Sequence, residues 1–362
     1  MRLPSNDAQL PAAPAGWLTF CNSRELGAQP LKRQLLGEHL VAFRTENGEV
    51  GVVSASCAHM GADLAQGKVV GEAIQCPFHQ WEFGTDGRCS RIPAQPGFPP
   101  SACQTAYPAV ERHGCVFFYN GPPTYYPLPF FDDCTSDSLC RAQPFTLELE
   151  CPWYMVGANG VDVQHFQGTH DRVLLGSPHT EFPHPLVHRS EMRFGIAGRG
   201  LRDRMTRRFA GKEVTMRVTD WSGTLFFVQA TFPGAQSYGM VGLLPLEAQR
   251  TLVFVTVMVR RSRGRIGQVL RDPPNAAIRR LFIRNFLLAD VERSAGTDFD
   301  PTRLIAADHL MLEYFDWLRE AQEILVRAED HGVARLADHP KTIHRAPTTP
   351  KLTTSIPGGP LT

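Results

Sequence analysis

Two short motifs, each pairing a cysteine with a histidine, constrain this chain more than any other feature. Cys57-x-His59 and Cys76-x2-His79 have sixteen residues between them. Each motif places one thiolate and one imidazole on a tight loop, and an intervening hairpin would bring the two loops together. A structural zinc site is one interpretation, but zinc fingers pair Cys with Cys and His with His. A mixed pair in both loops fits better a [2Fe-2S] cluster in which two cysteines hold one iron and two histidines the other.

The pattern of short apolar runs around these motifs predicts the first of two domains. Between Trp17 and Tyr119, β-rich runs alternate with glycine-containing turn signals such as ENGE and TDGR. This alternation is typical of a small all-β domain. We assign it to residues 15–125, after a flexible N-terminus over residues 1–14.

The rest of the chain predicts a larger α+β domain over residues 145–339, reached through a Pro- and aromatic-rich connector at 126–144. Residues 190–260 alternate apolar and polar side chains, which indicates an antiparallel sheet with one covered face. Amphipathic helices are predicted from Asn275 to about Ala289 and from Asp308 to about Glu329. Residues 340–362 read as a disordered or extended tail.

A second set of candidate ligands lies at the start of this domain, in the string ANGVDVQHFQGTH. It contains Asn159, Asp162, His165 and His170 within a predicted helix from Val156 to about His170. Residues five apart on a helix diverge by about 140°. The two histidines could share one metal only if the helix bulges or ends between them, for which Gly168 is well placed. Two imidazoles and one carboxylate form the facial triad of non-haem Fe(II) oxygenases.

The two cysteine–histidine loops, CAHMGADLAQG and CPFHQWEFGTDG, resemble the cluster loops of the Rieske domain in ring-hydroxylating and related oxygenases. Respiratory-chain Rieske proteins have two further cysteines where this chain has Ala62 and Phe78. That difference favours the oxygenase type. The resemblance implies a Rieske [2Fe-2S] domain followed by a helix-grip catalytic domain, an antiparallel sheet with helices.

The same resemblance implies roles for residues of the second string. His165 and His170 would bind a mononuclear iron. Asp162 would accept a hydrogen bond from His165 and, across a subunit interface, from a cluster histidine of the neighbouring chain. Asn159 is a second candidate catalytic residue of this string.

The third iron ligand must come from later in the chain. The segment FLLADVERSAGTDFDPTRLIAADHLMLEYFDWL resembles the branch that includes 3-ketosteroid hydroxylases, cholesterol desaturases and aminopyrrolnitrin oxygenase. In that branch an aspartate at the end of an apolar helix is the ligand, which places it at Asp290. Asp290 could instead be a solvated carboxylate. Other acids of the region are alternatives: Glu292, Asp298, Asp300 and Asp308.

Together these features predict a terminal oxygenase that monooxygenates or desaturates an apolar substrate. Electrons would come from NAD(P)H through a separate reductase or ferredoxin, since no nucleotide-binding fingerprint follows a strand in this chain. Family members are commonly head-to-tail trimers, so we expect a homotrimer. Apolar residues expected near the iron suggest a polycyclic or aromatic substrate: Trp153, Phe166, Phe226 and Phe227. The alternative is an electron-transfer or redox-sensing protein whose second domain only binds a ligand.

The composition excludes some other classes of protein. Lys plus Arg is 37 and Asp plus Glu is 36, a net charge of +1. This balance argues against binding nucleic acid or an acidic membrane through the overall charge. No apolar run approaches the roughly 20 residues that span a bilayer, and the N-terminus lacks the apolar core of a secretory signal, so we expect a cytoplasmic protein.

Seven cysteines and three histidines stand outside the two constellations. In a reducing compartment we expect the seven remaining cysteines to be buried or idle thiols. His179, His184 and His188 lie in a proline-rich stretch and could form a loop over the iron site or a surface loop.

Overall fold

The computed structural model describes residues 10–121, 126–296, 299–300 and 303–330. Five expectations from the sequence therefore fall wholly or partly outside the described residues. These are the flexible N-terminus up to residue 9, part of the first domain's end at 122–125, the alternative ligand Asp298, the second domain's end at 331–339, and the tail at 340–362.

The first part of the chain is all β, as predicted. Eleven antiparallel strands form three small sheets, ordered β1-β11-β10, β2-β3-β4-β9 and β5-β6-β7-β8. The strands are β1 Gly16–Asn22, β2 Leu31–Leu35, β3 Glu38–Arg44, β4 Val50–Ser54, β5 Lys68–Val70, β6 Ala73–Gln75, β7 Glu82–Gly84, β8 Cys89–Arg91, β9 Ala106–Tyr107, β10 Ala109–Arg112 and β11 Cys115–Asn120.

The second part is built on one nine-stranded antiparallel sheet, which confirms the α+β class. Its order is β12-β20-β19-β18-β17-β16-β14, with β13 paired to β20 and β15 to β16. The strands are β12 Leu139–Arg141, β13 Phe145–Leu149, β14 Arg172–Leu174, β15 His179–His184, β16 Val187–Ile196, β17 Glu213–Trp221, β18 Leu225–Phe232, β19 Ala235–Glu247 and β20 Arg250–Arg260. Strand β12 lies inside the segment interpreted from the sequence as a connector.

Within the described part of the chain, six α-helices accompany this sheet. They are α1 Trp153–Asn159, α2 Val163–His170, α3 Leu201–Phe209, α4 Arg265–Leu270, α5 Asp272–Ser294 and α6 His309–Asp330. The two helices predicted near the C-terminus correspond to α5 and α6, and α5 is longer than expected at both ends. The helix predicted from Val156 is instead two helices, α1 and α2. No helix among the described residues is long and apolar enough to cross a membrane.

A shared hydrophobic core joins the two parts of the chain. Leu18 and Phe20 of β1 and Phe118 of β11 pack with Leu244 of β19 and Phe254 of β20. At this junction a Cβ on Gly242 would lie 1.9 Å from Thr19 Oγ1, so only glycine permits the strands to approach so closely. The two domains are therefore held in a fixed relation by packed side chains.

Candidate cluster loops and metal centre

The two cysteine–histidine loops have matching backbone geometry. The N–H of Gly61 donates to the carbonyl of Cys57 at 2.8 Å, and the N–H of Gln80 donates to the carbonyl of Cys76 at 3.2 Å. Each turn needs a residue with positive φ, which is 74° at Gly61 and 57° at Gln80. Both loops therefore fold back four residues after the cysteine and present the histidine at the tip.

The four predicted cluster ligands lie together as two buried thiols and two exposed imidazoles. Cys57 and Cys76 are buried, whereas the rings of His59 and His79 are exposed with centroids 4.6 Å apart. Trp81 stacks on His59 at 4.3 Å with 5° between the ring planes. Burial, and to a smaller extent the adjacent Cys76 thiol, raises the pKa of Cys57 to about 11. Buried thiols of this kind become thiolates only when a metal ion or cluster supplies compensating charge.

The arrangement of these four residues disfavours the zinc alternative. A single tetrahedral zinc requires all its donor atoms to converge on one point. Among the described residues, a group of three or more donor atoms close enough to share one ion occurs at His165, His170 and Asp290, and not at the cluster loops. Two thiols beside two imidazoles without one common centre fit a two-iron cluster.

The second predicted constellation converges on one carboxylate oxygen. His165 Nε2 lies 2.8 Å and His170 Nε2 lies 2.7 Å from Oδ1 of Asp290. The histidines come from α2 and the aspartate from α5. Arg293 ties the two helices together by donating from Nη1 to the carbonyl of Gly168 at 3.0 Å. Two histidines and one aspartate thus form the donor set of a facial triad.

The two histidines meet because the last turn of α2 departs from an ideal helix. Helix α2 runs from Val163 to His170, so of the two predicted alternatives, a bulge or an end between the histidines, the end is wrong. The helix ends one residue later at Asp171, which is left-handed with φ of 52°. Its N–H bonds to the carbonyl of Phe166, five residues back, which widens the last turn. His170 is therefore placed by the helix terminus.

The protonation states of the three residues suit a metal site. Burial alone would raise the pKa of Asp290, but the hydrogen bond with His165 and the close approach of His170 lower it below its usual range. Burial lowers the pKa of His170 against the opposing effect of Asp290. His170 Nε2 is buried and makes no hydrogen bond of normal geometry to any described residue, despite its nearness to Asp290. A neutral His170 beside an ionised Asp290 is the state in which these two side chains bind a cation.

Asp162 has a different hydrogen bond from the one implied by the resemblance. Its Oδ1 accepts from the backbone N–H of His165 at 3.0 Å, as the N-cap of α2. The His165 ring is not its partner, and Nδ1 of that ring is buried without a hydrogen bond among the described residues. Asn159 is half-buried at the last residue of α1. Asp162 and Asn159 remain predictions as catalytic residues.

The alternative carboxylates have other surroundings. Asp308 accepts from Gln164 Nε2 at 2.7 Å and from the N–H of Ile305, beside a cavity of about 170 Å³ that Asp162 also lines. Asp300 pairs with Arg303. Glu292 is exposed. Of the acids placed by the structure, Asp290 is the one that meets both histidines.

The three further histidines do not form a loop. His179 and His184 are exposed on β15, a strand paired with β16. His188 lies on β16 and is buried against Tyr314 and Trp317, where burial lowers its pKa to about 4. The structure describes all nine cysteines and places none in a disulfide.

Apolar residues lie beside the candidate iron site, but only one of the four aromatic residues expected there is among them. Phe166 packs with Met192, Phe194 and Val214 beside the two histidines. The other three aromatics proposed for this region belong to the main core instead: Trp153, Phe226 and Phe227.

Sequence reasoning missed Phe286, which lies on α5 one turn before Asp290. Its ring stacks on His170 at a centroid distance of 3.6 Å. On its other side the guanidinium of Arg172 lies 5.8 Å from the ring centroid. The i, i+4 spacing to Asp290 was the available signal, because such residues share a helix face.

Comparison with known proteins identifies the first domain. Residues 16–108 match the family model of the Rieske [2Fe-2S] domain. The oxygenase subunit of tert-butanol monooxygenase / tert-amyl alcohol desaturase from Aquincola tertiaricarbonis is 39% identical over 163 residues, which cover 44% of this chain and 35% of that protein. The oxygenase component of 3-ketosteroid-9-alpha-monooxygenase from Rhodococcus rhodochrous is 34% identical over 147 residues, covering 39% and 37%. The matched regions thus span about a third of the length of these curated relatives.

Solved structures extend the likeness over most of the chain. Dicamba monooxygenase bound to dicamba has a TM-score of 0.61 at 18% identity, covering 87% of this chain and 99% of that one. Pseudomonas putida NdmA with caffeine has a TM-score of 0.66 at 18% identity, covering 86% and 94%. The chain therefore contains a Rieske [2Fe-2S] domain. As a whole it has the fold of these monooxygenase chains and is similar in sequence to oxygenase components.

Proposed function

We propose that this chain is the terminal oxygenase of a multicomponent system that oxidises an apolar substrate with O2. Cys57, His59, Cys76 and His79 would hold the Rieske cluster. His165, His170 and Asp290 would hold one ferrous ion. When bound, the cluster supplies single electrons and the ferrous ion activates O2.

The observation that carries this proposal is the meeting of the three ligands on one point. Both Nε2 atoms lie within 2.8 Å of a single carboxylate oxygen, in a half-buried site lined on one side by apolar residues. The alternative of an electron-transfer or redox-sensing protein gives no reason for a second donor set of this kind. The oxygenase requires both donor sets.

The surroundings of the site support an uncharged, apolar substrate. Phe166, Met192 and Phe194 form an apolar cluster against the histidine-bearing helix. The names of similar proteins include a ketosteroid monooxygenase and a cholesterol 7-desaturase, both of which act on polycyclic lipids. A polycyclic or aromatic substrate, monooxygenated or desaturated, is the class we propose.

Electrons would reach the cluster from an NAD(P)H-dependent reductase, directly or through a ferredoxin. Several similar proteins are named as the oxygenase component or subunit of a larger system. The cluster histidines stand at an exposed tip together with Met60 and Phe78, which are 66% and 62% exposed. An exposed tip with apolar neighbours suits contact with another protein. We place the whole system in the cytoplasm.

A homotrimer would give this tip a second contact. Asp162 lines an open cavity of about 170 Å³ together with Gln164, Asp308 and Met311. In a head-to-tail ring the tip of one chain would dock against this cavity of the next, and a cluster histidine would donate to Asp162. The Asp162 oxygen that does not cap α2 would accept that hydrogen bond.

Metal analysis of the purified holoprotein tests the proposal. About three irons and two acid-labile sulfides per chain are expected, two irons in the cluster and one at the second site. Asp290→Ala should lower iron to about two per chain and leave sulfide and the visible cluster spectrum unchanged. Glu292→Ala, an exposed acid on the same helix, is the matched control and should retain three. A wild-type protein with two irons, or an Asp290→Ala protein with three, would refute the second site.

A further inference from the structure

Helix α3 has its polar side turned inward and its apolar side turned outward. Leu201, Met205 and Phe209 are spaced four apart and therefore share one face. They are 67%, 41% and 74% exposed, and no residue of this helix is buried. An amphipathic helix of a globular protein normally faces its apolar stripe to the core. The inverted orientation leaves an apolar stripe without a partner in the chain.

Polar contacts hold α3 in this orientation. Asp203 on its inner side pairs with Arg172 at 2.9 Å. Arg207 donates to the carbonyls of Ile196 and Gly198 at 3.1 and 2.6 Å. Arg202 donates to the carbonyl of Asn285 on α5 at 3.2 Å, which joins the two helices. These ion-pair and hydrogen-bond contacts on the inner side of α3 keep its apolar side directed outward.

The neighbouring helices α4 and α5 carry further exposed apolar side chains. On α5, Ile278 and Leu281 are 58% and 55% exposed and lie on the same helix face as Asn285, to which α3 is joined. Helix α4, which directly precedes α5, exposes three more apolar side chains: Ile266, Val269 and Leu270. We call these eight residues of α3, α4 and α5 the outer apolar face.

Exposed arginines border this face, and exposed acids are absent from its two segments. The exposed arginines of residues 199–209 and 261–285 are Arg199, Arg202, Arg204, Arg208, Arg261, Arg263, Arg265 and Arg271. Both stretches are fully described, and their acids are Asp203, which pairs with Arg172, and Asp272, which is buried and accepts from Ser262. The net charge of +1 for the whole chain therefore conceals one strongly positive surface.

We propose that the outer apolar face rests on the surface of an anionic lipid bilayer. Exposed Leu, Met, Ile and Phe side chains flanked by arginines are the pattern of helices that lie in a membrane interface. The apolar side chains would enter the boundary between headgroups and acyl chains. The arginines would bind lipid phosphates and gain from the negative surface potential. This attachment is peripheral and involves no spanning helix.

Other molecules or segments that could cover the outer apolar face are less suitable than an anionic bilayer, chiefly because of their charge. Residues 331–362 carry four basic residues, Arg335, Lys341, Arg345 and Lys351, and one acid, Asp338. A basic segment gains nothing electrostatically by covering an arginine-rich surface. The same repulsion opposes the pairing of two copies through identical faces. An electron donor would have to reach the cluster loops, which belong to a different sheet and a different core cluster.

Helix α3 lies close to the candidate iron site, so membrane attachment through it would bear on access of the substrate. Arg172, which pairs with α3 through Asp203, also lies against Phe286, and Phe286 stacks on His170. The bilayer would thus lie beside the candidate iron site. This last step rests on the proposed function, since a substrate dissolved in the bilayer would have only a short path to the site.

Vesicle flotation of the full-length holoprotein tests the attachment. The probes are vesicles of phosphatidylcholine alone and of phosphatidylcholine with an equal amount of phosphatidylglycerol. The wild-type protein should float with the anionic vesicles at low salt and at least tenfold less with the neutral ones. Leu201→Ser/Met205→Ser/Phe209→Ser should bind anionic vesicles at least tenfold more weakly. Arg204→Gln/Arg208→Gln should lower binding and its salt dependence.

A matched triple variant, Val70→Ser/Phe98→Ser/Val326→Ser, removes exposed apolar side chains elsewhere on the molecule and should float like the wild type. Iron and sulfide content should be equal in all variants, so failure to bind vesicles is distinguishable from failure of the oxygenase proposal. Wild-type protein that stays in solution with anionic vesicles would overturn the inference. So would a Leu201/Met205/Phe209 variant that floats normally, or one that only changes oligomeric state by sedimentation.

Discussion

The ring of Phe286 lies flat against the imidazole of His170, with centroids 3.6 Å apart and planes inclined by 11°. His170 has no hydrogen bond from Nε2 to fix its ring among the described residues, so stacking restrains its rotation. Residues that orient metal-binding histidines change metal affinity even when they do not touch the metal.

Replacement of Phe286 should therefore weaken metal binding. Phe286→Ala should bind Co2+, used as a spectroscopic substitute for iron, about 10- to 100-fold more weakly. Phe286→Tyr retains a flat ring and should restore most of the affinity. The cobalt absorption bands report binding and ligand geometry. Phe282→Ala, one turn earlier on α5, is the control, and equal cobalt affinity in all three variants would contradict a positioning role.

Asp162 combines a structural role with the proposed catalytic one, and two substitutions separate them. Asp162→Asn should still cap α2, because Asn is as good an N-cap as Asp, so both metal contents should stay normal. Turnover should nearly stop, since an amide lacks the negative charge with which the carboxylate would accept a hydrogen bond from a cluster histidine of the neighbouring chain. Asp162→Ala should in addition lose about 1 kcal/mol of stability with the cap. Full turnover by a metal-replete Asp162→Asn enzyme would remove the bridging role.

Gln80 should tolerate only residues that accept a left-handed backbone. Its φ of 57° closes the second cluster loop, as Gly61 closes the first. Gln80→Gly should retain full cluster content, measured as visible absorbance per chain. Gln80→Val should lower it, because a β-branched residue in this conformation costs about 1–2 kcal/mol or more. Equal absorbance in the two variants would show that the turn does not control cluster retention.

Asp220 should make the fold less stable as the pH rises from about 4 to about 8. Burial raises the pKa of this carboxyl to about 8, against the opposing hydrogen bonds from Tyr314 and Gly223. The folded chain keeps a proton that the unfolded chain loses near pH 4, so stability falls as the pH rises toward 8. His188, opposite Asp220 on β16, is neutral in both states above about pH 7 and does not contribute there.

Thermal unfolding at pH 7 and pH 8 measures this effect. Between these values the wild type should lose up to about 1 kcal/mol from this group. Asp220→Asn, which keeps a side chain of the same shape, should lose the dependence. Asp316→Asn, an acid with a half-exposed side chain on α6, should behave as the wild type. A pH dependence unchanged in Asp220→Asn would show that Asp220 is ionised in the folded state.

The cluster loops could be predicted from the sequence because all four ligands lie in two short motifs. Asp290 is 125 residues from His165, so only the resemblance, not spacing, indicated it. The departure from an ideal helix that was expected between the two histidines is the widened last turn of α2, and no sequence pattern indicated that the left-handed Asp171 would close it.

The orientation of α3 and the contact of Phe286 with His170 depend on tertiary contacts that no local sequence pattern indicates. The spacing of Leu201, Met205 and Phe209 would by the usual rule predict a buried face. The pair Asp203–Arg172 overrides that rule, since it turns the polar side of α3 inward. Phe286 could be recognised as an apolar helix residue, but its partner His170 lies on another element, and no local pattern encodes their contact.

The core shared by β1, β11, β19 and β20 bears on attempts to build chimaeric enzymes from this chain. A Rieske domain cut out at residue 121 would expose to water the side chains of Leu18, Phe20 and Phe118, which the intact chain buries in this core. Grafted onto a foreign partner, it would fit only strands that have a glycine opposite Thr19, as Gly242 is here. Exchange of electron-transfer domains between such proteins would therefore succeed only if β1 and β11 were transplanted together with β19 and β20.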